Sequence, residues 1–271
     1  MPVCNDLVTR PRTGYAYLDE PSGVLAFAHR GGAFHPELEG MENTMAAFRH
    51  AVGLGYRYLE TDVHVTRDGV LLAFHDRVLD RVTDRVGTVA ELTRAEVGGA
   101  LIGGREAVPA LADLFEEFPG VRFNIDIKAP GAARPLADFI AARRAQARVL
   151  VGSFSPASLH AFRDLAGPAV PTSAHPGEAA LFAASPSGRL ADRLTRGRVA
   201  ALQVPHRRGR LAVVTASLVR RLHAAGKHVH VWTIDDPAEM HELLDLGVDG
   251  LMTDRTDILK RVLVERGQWE G

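Results

Sequence analysis

Cysteine is nearly absent from this chain. Cys4 is the only one in 271 residues, so no disulfide can form within the chain and a reducing compartment is allowed. Long apolar runs are missing as well. Nothing approaches the roughly 18 consecutive apolar residues that a membrane span needs. The first stretch carries Asn5, Asp6, Arg10, Arg12, Asp19 and Glu20 and lacks the apolar centre of a signal peptide. A cytoplasmic setting without a stable membrane anchor is the expectation. Neither charge sign is in excess: Lys+Arg of 32 against Asp+Glu of 33 leaves −1. No global field draws the chain to nucleic acid or an anionic surface. The local run His206-Arg207-Arg208-Gly209-Arg210 reads first as solvated surface, with phosphate contact as the alternative. Low-complexity segments, long Gly/Ser linkers and internal repeats are also missing.

What is present is a β/α rhythm on ordinary globular composition, 46% hydrophobic and 24% charged. Strand-like runs fall at Val24–Ala28, Tyr58–Val65, Val121–Ile127, Val149–Ser153, Ala169–Ser173, Ala200–Val204, His228–Ile234 and Gly250–Thr253. Helix-like runs lie between them, at Thr44–Leu54, Ala110–Phe118, Pro135–Gln146, Ala157–Leu165, Glu178–Ala184, Ala216–Ala225, Ala238–Leu246 and Thr256–Glu265. Asn43 or Thr44 can cap the first helix, Pro135 and Pro237 suit first turns, and Gly167, Gly226 and Gly247 suit ends. Eight strands alternating with helices is the count of an α/β (β/α)₈ TIM barrel. An open doubly wound sheet would show a Gly-rich phosphate turn after its first strand, and none is seen. Val70–His75 follows the second strand after Asp68-Gly69, too soon for a parallel crossover. It should fold back antiparallel and return His75 toward Glu60 and Asp62. Residues 77–108 lack a strong period and read as a small insertion over the barrel top. The whole chain reads as one domain with its core at about 24–260. Ser185-Pro186-Ser187-Gly188 reads as a short loop.

Catalytic groups of such a barrel gather at the C-terminal ends of its strands. His29 and Arg30 end the first strand, Glu60 and Asp62 share one face of the second, and Asp126 and Lys128 end the third parallel strand. Two carboxylates about 7 Å apart on one strand face repel unless a cation lies between them. Glu60, Asp62 and Asp126 therefore form a candidate all-oxygen site for a hard divalent ion, Mg²⁺ or Ca²⁺. The competing reading pairs these acids with Arg30, Lys128 and Arg57. His29 and His75 flank the acids and can move protons near neutral pH. Arg30 and Lys128 are candidates for holding phosphate oxygens, with a structural ion pair as the alternative for Lys128. His64 shares the face of Glu60 and Asp62 and either points to the site or packs near it. His50, His160, His223 and His241 fall in helical patterns and read as structural. Asn43, in Glu42-Asn43-Thr44, is either an N-cap or a substrate contact. Trp232 either walls a substrate pocket or belongs to the core.

These motifs resemble the glycerophosphodiester phosphodiesterase family of the phospholipase-C-like phosphodiesterase barrels. The resemblance rests on Ala28-His29-Arg30-Gly31-Gly32, Glu42-Asn43-Thr44, Glu60-Thr61-Asp62-Val63, Thr66-Arg67-Asp68-Gly69 and Phe74-His75-Asp76. It continues through Val108-Pro109-Ala110-Leu111, Asn124-Ile125-Asp126-Ile127-Lys128, Ser153-Phe154, Val231-Trp232-Thr233 and Gly247-Val248-Asp249-Gly250 with Thr253-Asp254. It implies a TIM barrel, His29 and His75 as the acid/base pair, Arg30 at the phosphate, and Glu60 and Asp62 as metal ligands. The chain departs from the family pattern in three places. Asp126 stands where a glutamate is usual, Met41 stands where a proline is usual, and the loop Ala33–Gly40 is long. The implied reaction is metal-dependent hydrolysis of a glycerophosphodiester to glycerol 3-phosphate and an alcohol. The alternative is a lipid-directed phosphodiesterase of the lysophospholipase D or sphingomyelinase D kind, which needs an apolar entry face that no sequence pattern marks. A non-catalytic phosphate-binding barrel would be expected to lack a histidine or an acid, and neither is missing.

Overall fold

The structure is a computed structural model that describes residues 10–19 and 23–270. Cys4, Asn5, Asp6 and Glu20 lie outside the described residues. The strands that build the barrel are β1 (Leu25–Ala28), β2 (Tyr58–Val65), β4 (Arg122–Ile127), β5 (Val149–Gly152), β6 (Ala201–Pro205), β7 (His228–Trp232) and β8 (Gly250–Thr253), with β3 (Leu71–Ala73) beside β2. Parallel pairing runs β5-β4-β2-β1-β8-β7-β6. β3 lies antiparallel on β2, with Val63 opposite Ala73 and Val65 opposite Leu71. The turn at Asp68-Gly69 thus acts as expected, with Gly69 at φ 86°.

The expected strand Ala169–Ser173 is reduced to single parallel bridges, Val151 to Thr172 and Ser173 to Ala201. Pro168 precedes it and Pro171 lies within it, and neither has an N–H to give to a ladder. The seam is still hydrogen-bonded on both sides: Ser173 N donates to Val151 O at 3.0 Å and Ala174 N to Ala201 O at 3.0 Å. The fold is a (β/α)₈ barrel whose continuous ladder covers seven strands and is not closed at the eighth.

Helices cover the outside. The first, Met45–Gly53, is capped by Thr44, whose side chain accepts from Ala47 N; such a cap contributes about 1 kcal/mol. A helix at Gly188–Leu194 begins where only a short loop is expected. The excursion over 77–108 builds its own small apolar cluster from Leu79, Val89, Val97, Ile102 and Val108, resting on Leu72 and Phe74.

Alternation along β2 decides what faces the barrel axis. Leu59 and Val63 enter the sheet–helix core, and Tyr58 enters the separate inner cluster with Phe27, Leu150 and Met252. Glu60 and Asp62 share the inward face of Tyr58, one and two steps nearer the C-terminal end. The barrel floor is stoppered by a one-turn helix, Ala16–Asp19, whose Tyr17 ring packs edge-on to Tyr58 at 5.2 Å. Above that floor Gln203 donates to Asn124 Oδ1 at 2.7 Å and meets His230 Nδ1 at 3.2 Å. The acids therefore sit above an apolar floor and a satisfied amide layer, at the end where the strands open.

Candidate active site

β1 ends in a tight turn, His29–Gly31. Arg30, Gly31 and Gly32 have φ of 49°, 86° and 91°. Two glycines are needed there. A Cβ on Gly31 would lie 2.7 Å from Ala47 Cβ, and one on Gly32 would lie 2.7 Å from Thr256 Cγ2. Arg30 holds the left-handed conformation with a full side chain, at a cost of roughly 1–2 kcal/mol. Two hydrogen bonds oppose that cost: its N–H donates to Glu60 Oε2 at 3.0 Å, and its carbonyl accepts from Asn43 N at 2.9 Å. The turn aims the guanidinium back at the acids, with Nε 3.3 Å from Asp62 Oδ2 and Nη1 3.1 Å from Glu42 Oε1.

Register then brings the third acid in. Asp62 pairs with Asp126 across β2 and β4. The Lys128 ammonium lies between them, 3.1 Å from Asp62 Oδ1 and 2.6 Å from Asp126 Oδ2. Burial opposes the charge on Asp62, but Lys128 and Arg30 outweigh it and hold its pKa below the usual carboxylate range. Glu60 goes the other way: burial and then the Asp62 charge push it up to about 7. Burial also raises Asp126, and its Oδ1 is buried without a hydrogen-bond partner among the described residues.

The two histidines are held alike. His29 Nδ1 meets Asp254 Oδ1 at 2.8 Å, and His75 Nδ1 meets Asp76 Oδ1 at 2.5 Å. A carboxylate on Nδ1 selects Nδ1–H and leaves Nε2 for the site. His29 Nε2 is 3.9 Å from Glu60 Oε2. Burial disfavours its charged form, but Glu60 and then Asp254 outweigh this and raise its pKa to about 9. His64 resolves as a strut, its Nε2 3.0 Å from the His75 carbonyl. Arg81, from the excursion, clamps the arrangement from outside, donating to both Asp76 and Glu42.

One cavity of about 800 Å³ collects His29, Arg30, Glu60, Asp62, His75, Asp126, Lys128 and Trp232. Trp232 forms part of its wall, with the Phe154 ring edge-on at 5.7 Å. Asn43 is not among the lining residues. It is buried, donates to Asp62 Oδ2 at 3.0 Å and accepts from Thr61 Oγ1 at 2.8 Å. It neither caps the helix nor reaches substrate space, but fixes one face of Asp62. Asp254, Asp76 and Arg81 carry no role in the sequence reading. Asp254 and Asp76 stand in the quoted motifs, whereas no local pattern marks Arg81.

The donors of Glu60, Asp62 and Asp126 are all hard oxygens. Three carboxylates meet two cations, Arg30 and Lys128, and Asp126 Oδ1 is buried without a hydrogen-bond partner among the described residues. In donor type and charge they fit a divalent cation. Yet part of the competing reading also holds: Arg30 and Lys128 do pair with Asp62, while Arg57 lies exposed at the far end of β2. Among the described residues, sets of three His or acid donors within 4.8 Å occur at His35, Glu37 and His50 and at His160, His175 and Glu178. The predicted trio does not form such a set.

Fold and site together define a barrel enzyme of the phosphoric diester hydrolase class. The chain belongs to the glycerophosphoryl diester phosphodiesterase family, whose family model matches residues 29–258. It is 43% identical over 255 residues to "Probable glycerophosphodiester phosphodiesterase 2" of Mycobacterium tuberculosis H37Rv, covering 92% of this chain and 94% of that one. Among solved structures, a glycerophosphodiester phosphodiesterase from Agrobacterium tumefaciens C58 superposes with a TM-score of 0.73 at 24% identity, over 89% and 99% of the two chains. A phosphodiesterase from Oleispira antarctica in complex with the product sn-glycerol-3-phosphate gives 0.72 at 22% identity, over 89% and 97%. At these identities the two structures support the barrel fold alone. No helix among the described residues is long and apolar enough to cross a membrane.

Proposed function

We propose that this chain hydrolyses glycerophosphodiesters to glycerol 3-phosphate and an alcohol, with His29 and His75 as the proton-transfer pair. The observation that carries the reading is their symmetry. Each imidazole is tied through Nδ1 to an aspartate, and both line the cavity that holds the acids. One ring takes the proton of the attacking oxygen and the other gives a proton to the leaving alcohol. The P–O bond to the alcohol breaks as the new P–O bond forms. Arg30 and Lys128 supply positive charge to the phosphoryl oxygens. Glu60, Asp62 and Asp126 would hold a divalent ion, Mg²⁺ or Ca²⁺, which when bound adds charge stabilisation at the phosphate. The family match and the name of the mycobacterial relative support this substrate class.

The test is choline release from glycerophosphocholine before and after chelation. Chelation should abolish turnover and added Mg²⁺ or Ca²⁺ should restore it. Turnover indifferent to chelator would remove the ion from the proposal, and absence of turnover with every divalent ion supplied would remove the substrate.

A further inference from the structure

The loop after the His29–Gly31 turn brings two donors to the first helix. It runs as consecutive turns, with His35 N donating to Gly32 O at 3.1 Å and Leu38 N to His35 O at 2.8 Å. Leu38 and Met41 bury against Ala47 of the helix Met45–Gly53. His50 stands three residues further along the same helix face, so the packing that seats the loop also delivers His35 and Glu37 to His50. Donor atoms of these three residues lie within 4.8 Å of one another. The His35 and His50 ring centroids are 4.2 Å apart, and His50 Nδ1 is 3.8 Å from Glu37 Oε2, too far for a hydrogen bond. His50 Nε2 is buried without a hydrogen-bond partner among the described residues, so no bond there fixes the tautomer of the ring. Arg255 and Asp257, whose charges both reach His35, are joined to each other at 2.9 and 2.8 Å and bring no net charge. The second donor set is already committed: His175 Nδ1 accepts from Gly177 N at 3.1 Å, and Glu178 holds the Arg163 guanidinium at 2.7 and 3.0 Å.

We infer that His35, Glu37 and His50 bind one divalent ion of the Zn²⁺ class, which ties this loop to the first helix. Two imidazoles and a carboxylate are donors that such an ion prefers, whereas Mg²⁺ and Ca²⁺ take oxygen. With bonds of about 2.0–2.2 Å, tetrahedral donors on one ion lie roughly 3.3–3.5 Å apart. His50 Nδ1 and Glu37 Oε2, at 3.8 Å, are already close to that spacing. The remaining closure falls to Glu37, whose side chain is 75% exposed and can move toward the rings. Water completes the fourth position. One contact opposes binding: Glu37 N donates to His35 Nδ1 at 3.3 Å. It is long for a hydrogen bond and is given up if the ion takes that nitrogen. No step of the proposed hydrolysis passes through this ion, since none of its three donors lines the cavity that holds His29 and His75.

The experiment is equilibrium dialysis of the full chain against Zn²⁺, after stripping with chelator and in excess Mg²⁺. Wild type is compared with Glu37→Gln, His50→Ala and Glu60→Gln, each checked for fold by circular dichroism. Glu37→Gln changes an exposed side chain and keeps the fold testable should His50→Ala disturb the helix. Wild type should hold one Zn²⁺ that binds at least tenfold more weakly in Glu37→Gln and is missing in His50→Ala, while Glu60→Gln retains it. Co²⁺ in place of Zn²⁺ should give wild type the visible absorption of a four-coordinate site with nitrogen donors, and His50→Ala should lose it. Absence of bound Zn²⁺ in wild type overturns the inference, as does equal affinity in either Glu37→Gln or His50→Ala. An ion lost in Glu60→Gln but kept in His50→Ala would lie at the catalytic acids and would overturn it too. Zn²⁺ binding is read without turnover, so failure of the hydrolytic reading leaves this test unaffected.

Discussion

Asp254→Asn isolates how the site is built. Asp254 is buried, and its Oδ1 lies 2.8 Å from His29 Nδ1. Its own backbone is pinned, with its N–H donating to Asp235 Oδ1 at 2.8 Å and its carbonyl accepting from Phe34 N at 3.1 Å. The acid therefore reaches His29 from a rigid seat at the end of β8. A hydrogen bond to a charged acceptor contributes about 1.5–3 kcal/mol more than none. The asparagine keeps the shape and removes the charge that stabilises the imidazolium. Losing about 3 kcal/mol in the transition state lowers kcat by about 10²-fold, and a ring settled in the wrong tautomer takes the loss toward roughly 10⁴-fold. KM should move less than about threefold, because Asp254 does not line the cavity. Steady-state choline release from glycerophosphocholine, with a thermal melt on the same samples, separates kcat from folding. A folded Asp254→Asn enzyme with kcat within about threefold of wild type would refute this positioning role.

Other perturbations follow from the same contacts. Gly31→Ala should destabilise the fold by more than about 2 kcal/mol in urea melts, since it combines a left-handed φ with a 2.7 Å clash against Ala47; a loss below about 0.5 kcal/mol would contradict the turn geometry. Arg81, then His75, holds the Asp76 carboxyl at about 2, below its usual value. That stabilisation is full above about pH 4 and is lost as pH falls through about 2. Because the Arg81 side chain is 47% exposed and solvent screens the pair, about 0.5–1 kcal/mol is at stake, and Arg81→Ala should flatten that part of the stability curve; parallel curves for the two proteins would count against the clamp. Glu178→Gln leaves the buried Arg163 guanidinium without its charge partner, now held at 2.7 and 3.0 Å. It should cost about 3 kcal/mol, and a melt within about 1 kcal/mol of wild type would show the pair to be dispensable.

The barrel was legible because its strands carry the period-2 pattern and its helices the caps and glycine ends of their type. The placement of Glu60 and Asp62 followed from the same period, and the fold-back of His75 from Asp68-Gly69. Two features were not legible, for different reasons. Pro168 and Pro171 removed the donors of an otherwise strand-like segment, so a ladder shrank to bridges. Asn43 could not be assigned because its left-handed φ of 56° turns it from the helix end toward Asp62 and Thr61. Lys128 shows the limit of local reasoning on charge. Proximity in sequence put it beside Asp126, but only the β2–β4 register shows that it also reaches Asp62.

Two aspartate-held imidazoles are the proposed proton carriers of phosphodiester cleavage. The most direct measurement is the rate of glycerophosphocholine cleavage by His29→Ala and by His75→Ala, each shown to be folded by circular dichroism and saturated with divalent ion. Both should fall at least about 100-fold below wild type. A rate above about a tenth of wild type in either variant would contradict the account.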